Sequence, residues 1–176
     1  MNRAIILLGS NEGDLSQNLH HAVILISEKS GTILKKSKIY ETEPWGRCDQ
    51  PFFYNQVIEL STPLNSGTLM GELLSIEKRM GRERLPTSYK KAGKEKWAPR
   101  IIDLDILYFN DEIINEPDLK IPHPHLHERR FTLVPLSELF PEMIHPVLKL
   151  KNKVLLAALT DTLAVKSLKN ESLVKH

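Results

Sequence analysis

At 176 residues, 41% of them apolar, the chain is long enough to close one sizeable core and short for two. Eleven prolines, eight glycines and interspersed charges of both signs exclude a fibrous or disordered chain, and the single cysteine, Cys48, excludes an intrachain disulfide and suits a reducing cytosol. The formal charge of +2 conceals a concentration: Arg82 to Arg100 hold seven basic residues against two acidic, a local +5 that leaves −3 elsewhere and suits an anionic ligand.

Arg3 to Leu8 reads as a buried strand closed by the loop Gly9 to Gly13. Leu15, Leu19, Ala22, Val23 and Ile26 then recur at helical spacing up to Gly31. Thr32 to Tyr40 is expected as one partly exposed strand, Glu43 to Pro51 as a loop, and Tyr54 to Thr62 as a second strand of that pair. Ser66 is the expected N-cap of a helix that buries Leu69, Leu73, Ile76 and Met80 and stops at Gly81. After the basic segment, Ile101 to Phe109 is a strand, turned at Asn110-Asp111 into a short partner at Glu112 to Ile114.

The order βαββαβ, with two helices available for one sheet face, points to an α+β fold with a ferredoxin-like core. Further helices are expected over Glu128 to Phe140 and Lys151 to Thr160. Residues 1–160 form one domain on this reading, and 161–176 a polar tail, frayed after Lys166. No run suits a secretory or membrane-spanning segment, so a cytoplasmic protein is expected.

The chemistry concentrates in Arg100 to Leu107, RIIDLDIL. In a strand, residues two apart share a face, so Asp103 and Asp105 project together while Ile102, Leu104 and Ile106 face the other way. Adjacent carboxylates repel unless a cation or proton lies between them, and Mg²⁺ accepts one or two carboxylates together with substrate phosphates. The plainer alternative pairs one acid with Arg100 and leaves the other facing solvent. Loss of either acid is expected to leave folding stability near its original value, because unpaired like charges contribute little.

Arginine forks bind phosphate bidentately, which makes Arg82 and Arg100, at the ends of the basic segment, better phosphate candidates than Lys90, Lys91 or Lys94. Neither a P-loop ending nor a GxGxxG follows the first strand. In Pro122 to Arg130, His123, His125 and His127 alternate; two prolines and the absence of a nearby cysteine argue against zinc. His123 and Arg129 are the phosphate candidates there, and His125 or His127 packs or caps the next helix. Trp45, Phe52, Phe53, Trp97 and Phe131, with the carboxamide of Asn55, would suit a flat heterocycle, although a Phe that begins a strand is more often core.

These residues carry a resemblance. Lys96 to Leu107 (KWAPRIIDLDIL) resembles the metal-site signature of the 6-hydroxymethyl-7,8-dihydropterin pyrophosphokinase family of folate biosynthesis. Matches extend from Gly9-Ser-Asn11 through Tyr40 to Gly46, Asp49 to Pro51, Asn55, Glu77 and Gly81-Arg82 to Pro122 to Phe131 and Val134 to Leu136. The resemblance implies transfer of the β,γ-pyrophosphoryl group of ATP to the hydroxymethyl group of the reduced pterin, with release of AMP. It implies that Asp103 and Asp105 hold two Mg²⁺ ions, that Arg82 and Arg100 clamp the phosphates as catalytic groups, and that Arg84 and Trp97 lie in a closing loop. Glu77, Ile106, His123 and Arg129 would complete the ATP site. Thr42, Pro44, Trp45, Phe53, Asn55, Asp103 and Phe131 would line the pterin pocket, with Phe53 and Phe131 stacking on the ring. No residue stands out as a general base, and Mg²⁺ coordination of the hydroxyl would supply that function.

Two departures stand out: Arg84 to Trp97 is longer than in short family members, and Phe53 occupies a position that is often Tyr. The last thirty or so residues carry no family motif and receive no function. A monomer is expected, without nucleic-acid or membrane partners. An RNA-binding module is the first alternative, weakened by the missing aromatic sheet signature and by two acids facing any phosphate backbone. A two-metal phosphohydrolase is the second, and would want more metal ligands.

Overall fold

A computed structural model describes residues 1–45, 50–82 and 99–168. Its centre is an antiparallel sheet whose strands are β1 (Asn2–Ser10), β2 (Thr32–Lys36), β3 (Tyr40–Thr42), β4 (Phe53–Thr62), β5 (Asp103–Phe109) and, from the C-terminal segment, β8 (Val165–Ser167). The order is β5-β1-β4-β3-β8, with β2 also paired to β4. A separate ribbon joins β6 (Ile114–Asn115) to β7 (Lys120–Ile121).

Alternation along the strands makes both sheet faces apolar, and each face has its own helices. On one face Ala4, Ile6, Leu8, Ile58, Leu60, Leu104 and Ile106 pack with Leu19, Ala22 and Ile26 of α1 (Leu15–Ser30) and Leu69, Leu73 and Ile76 of α2 (Ser66–Arg79). On the other, Ile5, Leu7, Val57, Leu107 and Tyr108 meet Leu133 and Leu136 of α3 (Arg130–Leu139) and Leu155 of α4 (Asn152–Ala157). Fully burying one such aliphatic side chain stabilises the fold by about 1.5–3 kcal/mol. The two C-terminal helices thus form a third layer, a mixed helix and antiparallel-sheet arrangement with helices on both sides.

The helix limits follow from local chemistry. Asp14 caps α1 by accepting from the Gln17 amide at 3.0 Å. The α2 cap is Asn65, which accepts from Thr68 N at 2.8 Å; Ser66, predicted for this role, is the first helical residue instead. Gly31, at φ 146°, ends α1 where an added Cβ would lie 2.1 Å from the Ser61 carbonyl oxygen, so neither the backbone angle nor the space admits another residue.

Three predicted elements change. The single strand over 32–40 is two, because Ser37 leaves the ladder: its N–H donates to Val57 O, and its hydroxyl accepts from Val57 N (3.0 Å) and donates to Lys38 O (2.7 Å). The predicted partner at 112–114 does not pair with β5; Ile114 pairs with Ile121, and Asn110 turns the chain at φ 47° with its side chain accepting from Arg3 N at 2.9 Å. The segment from Asp161, read as a tail, contributes β8, in which Thr42 faces Val165 and Tyr40 faces Ser167. Its short, partly polar sequence has no strand signal of its own and gains one only from the edge of β3.

A fourth feature lies inside β5. Ile5 faces Tyr108 but Ile6 faces Ile106, so Leu107 is an extra residue, a β-bulge. Leu107 and Tyr108 consequently join the same core, on the face that carries Asp103 and Asp105. The Leu107 carbonyl is free to accept from His123 N at 3.0 Å, which anchors the segment after β7 beside the two aspartates.

A candidate active site at the end of the sheet

One lateral row of the sheet reads Tyr40, Asn55, Gly9, Asp103, with Val57, Leu7, Asp105 two residues further along. Period two places Asn55, Gly9, Asp103 and Asp105 on the face shared with α3. Gly9 has a steric reason to be glycine: an added Cβ would stand 2.9 Å from Asn55 Oδ1. The Asn55 Nδ2 donates to Thr42 Oγ1 at 2.7 Å, and both residues are buried. That fixes the carboxamide at the centre of the face.

Asp103 is gripped by two guanidinium groups. Arg100 Nη1 donates to Oδ2 at 2.6 Å, and Arg82 Nη1 donates to Oδ1. The same Arg82 nitrogen also reaches Glu77 Oε1 (2.6 Å) and Ile102 O (3.3 Å). Glu77, 1% exposed at the C-terminal end of α2, accepts in addition from Leu104 N at 2.8 Å, so the helix is bonded directly to the strand carrying the aspartates. Arg100 is held in turn by Asn11: its N–H donates to Asn11 Oδ1 (2.8 Å), and Asn11 N donates to its carbonyl (3.1 Å).

The electrostatics of the two acids diverge. Their side chains are 22% and 31% exposed, so most of their surface is withdrawn from water. For Asp103 burial acts to raise the pKa, and the Arg100 and Arg82 charges outweigh it, holding the group below the usual carboxylate range. For Asp105 burial and then the Asp103 charge push it up to about 7, with Arg129 and Arg82 opposing from a distance. Arg82 is driven upward: burial lowers its pKa, but Asp103 and Glu77 more than compensate.

His123 Nε2 stands 3.8 Å from Asp105 Oδ2. Its Nδ1 accepts from His125 N at 3.2 Å, which assigns the ring proton to Nε2. Burial, then the charges of Arg129 and His125, bring its pKa down to about 4, so the ring is neutral at physiological pH. Arg129 caps the aromatic wall: its Cζ lies 4.8 Å from the Trp45 ring centre and 5.6 Å from that of Phe131, and its buried Nε has no hydrogen-bond partner. Burial lowers the pKa of this guanidinium, against the pull of Asp105 and Asp103.

The predicted residues thus gather in two groups. Glu77, Arg82, Arg100, Asp103 and Asp105 form one, and Thr42, Asn55, Trp45, Arg129 and Phe131 surround the other, with His123 between them. Phe53 pairs with Thr42 at the start of β4, Pro44 precedes Trp45, and both are half-buried. Phe52 is 52% exposed and not core. Ile106 faces the opposite core with Leu104, away from the aspartates. Arg84, Trp97 and the lysines between them lie outside the described residues, as do Cys48 and Asp49.

The alternating histidines do not converge: His125 Nδ1 lies 2.8 Å from Glu128 Oε2, and His127 packs edge-on against His145. Among the described residues no three His, Cys, Asp or Glu side chains converge to hold a metal. Sequence reasoning gave no role to Glu43 or Asp161, whose contacts are long-range and leave no local signal. Asn11 was visible only as part of the Gly-Ser-Asn motif.

Comparison with known proteins bears on what this geometry does. The sequence profile of the 7,8-dihydro-6-hydroxymethylpterin-pyrophosphokinase (HPPK) family matches residues 5–141. The 2-amino-4-hydroxy-6-hydroxymethyldihydropteridine pyrophosphokinase of Bacillus subtilis is 42% identical over 139 residues, 78% of each chain. The folic acid synthesis protein fol1 of Pneumocystis carinii is 39% identical over 81% of this chain, which corresponds to 18% of that protein. Among solved structures, an HPPK-DHPS triple mutant from Plasmodium falciparum superposes with a TM-score of 0.69 at 20% identity, covering 89% of this chain and 44% of that one. The chain spans less than half of that structure, and at this identity the likeness concerns the fold alone.

Proposed function

The chain belongs to the 7,8-dihydro-6-hydroxymethylpterin-pyrophosphokinase family, and from that premise we propose which of its side chains do the work. The reaction is pyrophosphoryl transfer from ATP in folate biosynthesis, the activity of a 2-amino-4-hydroxy-6-hydroxymethyldihydropteridine pyrophosphokinase. Membership gives no support to an RNA-binding or phosphohydrolase reading. The strand order also supports treating β1, α1, β2–β4, α2 and β5 as a ferredoxin-like core. No helix among the described residues is long and apolar enough to cross a membrane.

In this reading the hydroxymethyl oxygen of the pterin attacks the β-phosphorus of ATP, the bond from that phosphorus to the α,β-bridging oxygen breaks, AMP leaves and the hydroxyl proton passes to water. Asp103 and Asp105 fit a pair of Mg²⁺ ions. Their carboxylates share a strand face, and burial, then the Asp103 charge, raises the pKa of Asp105, a cost that a bound cation would relieve. With only two acids in the donor set, phosphate oxygens and water would complete the shells. When bound, the metal neutralises triphosphate charge and acidifies the coordinated hydroxyl.

The chain's own groups do the positioning. Arg82 and Arg100, held by Glu77 and Asn11, would turn part of their hydrogen-bonding capacity from Asp103 to phosphate oxygens. Neutral His123 would offer its Nε2 proton to the nucleotide, and Arg129 a charge-assisted bond beside it. Arg84 and Trp97 keep the nucleotide roles that the family motif gives them, as does Glu77 through Arg82; Ile106 would act only by packing behind the strand. Asn55 and Thr42 would read the pterin edge while Trp45, Phe53, Phe131 and Pro44 bound its faces, and Asp103 would border both substrates.

The observation that carries these assignments is the contrast between Asp103, bonded by Arg82 and Arg100, and Asp105, for which the described residues show no guanidinium hydrogen bond. Product analysis tests the reaction. ATP and 6-hydroxymethyl-7,8-dihydropterin with Mg²⁺ should give AMP and the pterin diphosphate; ADP as the nucleotide product would refute it. Calorimetric titration should show Mg²⁺-dependent binding of a non-hydrolysable ATP analogue.

A further inference from the structure

The family profile ends at residue 141, yet the chain beyond it returns to the site. After α4 the segment Asp161 to Leu168 runs past both walls of the pocket. On one wall, Asp161 Oδ2 accepts from Arg130 N at 2.9 Å; this is the amide between Arg129 and Phe131, at the free N-terminal end of α3. The other oxygen, Oδ1, accepts from Leu163 N at 2.9 Å, which fixes the carboxylate in place. Three residues later the segment reaches the opposite wall. Glu43 N donates to Ala164 O at 3.2 Å, and Ala164 N donates to Glu43 Oε2 at 2.9 Å.

Glu43 is the residue between Thr42 and Pro44. The contact continues as β8 pairs Val165 with Thr42 and Ser167 with Tyr40, and Leu168 N donates to Ile39 O at 2.9 Å. The strap therefore grips one wall between Thr42 and Pro44, both assigned to the pterin, and the other between Arg129, assigned to the nucleotide, and Phe131, assigned to the pterin. At the far end of α3, Glu138 accepts from the Tyr40 hydroxyl at 2.8 Å and from Lys38 N at 3.1 Å, so among the described residues the strap is the tie between this strand and α3 at the pocket end.

We propose that Asp161 to Val165 is a brace that sets the separation of the two pterin walls, with Asp161 and Glu43 as its positioning residues. The inference rests on the assignment of Thr42, Pro44, Trp45 and Phe131 to the pterin. A planar ring is held by surfaces whose separation must match its thickness, so a small change in the gap weakens binding of the ring and leaves a flexible triphosphate indifferent. The brace thus acts on one substrate and not on the other.

The test compares dissociation constants for pterin, measured by titration in the presence of Mg²⁺ and a non-hydrolysable ATP analogue, with those for the analogue alone. Glu43→Ala and Asp161→Ala should each weaken pterin binding about threefold to tenfold, the scale of one hydrogen bond, with nucleotide affinity unchanged. Glu43→Gln, which keeps an oxygen able to accept from Ala164 N, should restore pterin affinity. Asn152→Ala serves as the stability control: it removes the 2.9 Å bond from the Tyr108 hydroxyl and the bond to Phe140 O at the far end of α3, reaches none of the pterin-assigned residues, and should lower the melting temperature without moving pterin affinity.

Unchanged pterin affinity in both brace variants overturns the proposal. So does a parallel loss of both substrates that tracks melting temperature as Asn152→Ala does. Trp45→Ala and Asn55→Ala, measured alongside, separate the two levels. If these leave pterin affinity intact, the pocket assignment falls and the brace with it; if they weaken it while the brace variants do not, only the brace falls.

Discussion

Asp103 and Asp105 stand two residues apart on one strand face with similar exposure, yet they occupy opposite electrostatic regions. Around Asp103 the chain has assembled Arg100, Arg82 and, behind them, Glu77 and Asn11. Around Asp105 there is a neutral His123 at 3.8 Å, and Arg129 engages it only through space. Burial acts in the same direction on both acids, so it cannot separate them. The separation comes from contacting charge, which holds one group ionised and lets the other rise to about 7. Asp103 is already part of the fold, whereas Asp105 is the acid that the proposed metal site would complete.

The largest effect should be on turnover, where the two acids behave alike. Asp103→Ala and Asp105→Ala should each lower kcat by about a thousandfold or more, because both belong to the proposed metal site. Steady-state kinetics with either variant near wild-type activity would remove the metal assignment.

Stability should then separate them. Asp103→Ala removes a carboxylate that two partly buried guanidinium groups bond and should cost about 1–3 kcal/mol, which thermal melting would read as a drop of several degrees. Asp105→Ala should leave the melting temperature unchanged or raise it. Equal stability losses would dissolve the contrast. The sequence-based expectation that neither acid matters for folding assumed that both were unpaired, and Asp103 is bonded by Arg82 and Arg100.

The smallest effect is in pH dependence, measured without metal. A carboxyl whose folded pKa is raised, as for Asp105, contributes stability that is complete below its unfolded value of 3.8 and is lost as pH rises through about 7. A carboxyl whose folded pKa is lowered, as for Asp103, contributes stability above its unfolded value and loses it as pH falls through its folded value. Melting curves between about pH 5 and about pH 8 should therefore show a downward component with rising pH that Asp105→Asn removes. The same slope in the variant would mean that Asp105 is ionised throughout.

Much of this arrangement was legible in the sequence, and the legible part has a common cause. The period of RIIDLDIL settled which residues of β5 face the helices and which face the site, because strand alternation is local. Helical spacing located α1 and α2 for the same reason, and the Lys96-to-Leu107 motif with its companions pointed to the family. Even the plainer alternative for the acid pair was half right, since Arg100 does bond Asp103.

Where the sequence misled, the deciding partner lay far along the chain. Ser37 breaks a strand by bonding Val57, and β6 pairs with β7 rather than with the strand before it. By itself, then, the sequence determined the faces of the strands and helices, the placing of two acids side by side, and the family. Only the tertiary structure decided that Arg82 and Arg100 would bond Asp103 rather than Asp105 among the described residues, that the bulge at Leu107 would seat His123 beside them, and that residues from Asp161 onward would bond both Arg130 and Glu43. The reason is physical: charge compensation and strand register depend on groups brought together through space, and no periodicity within a single segment encodes which distant group arrives.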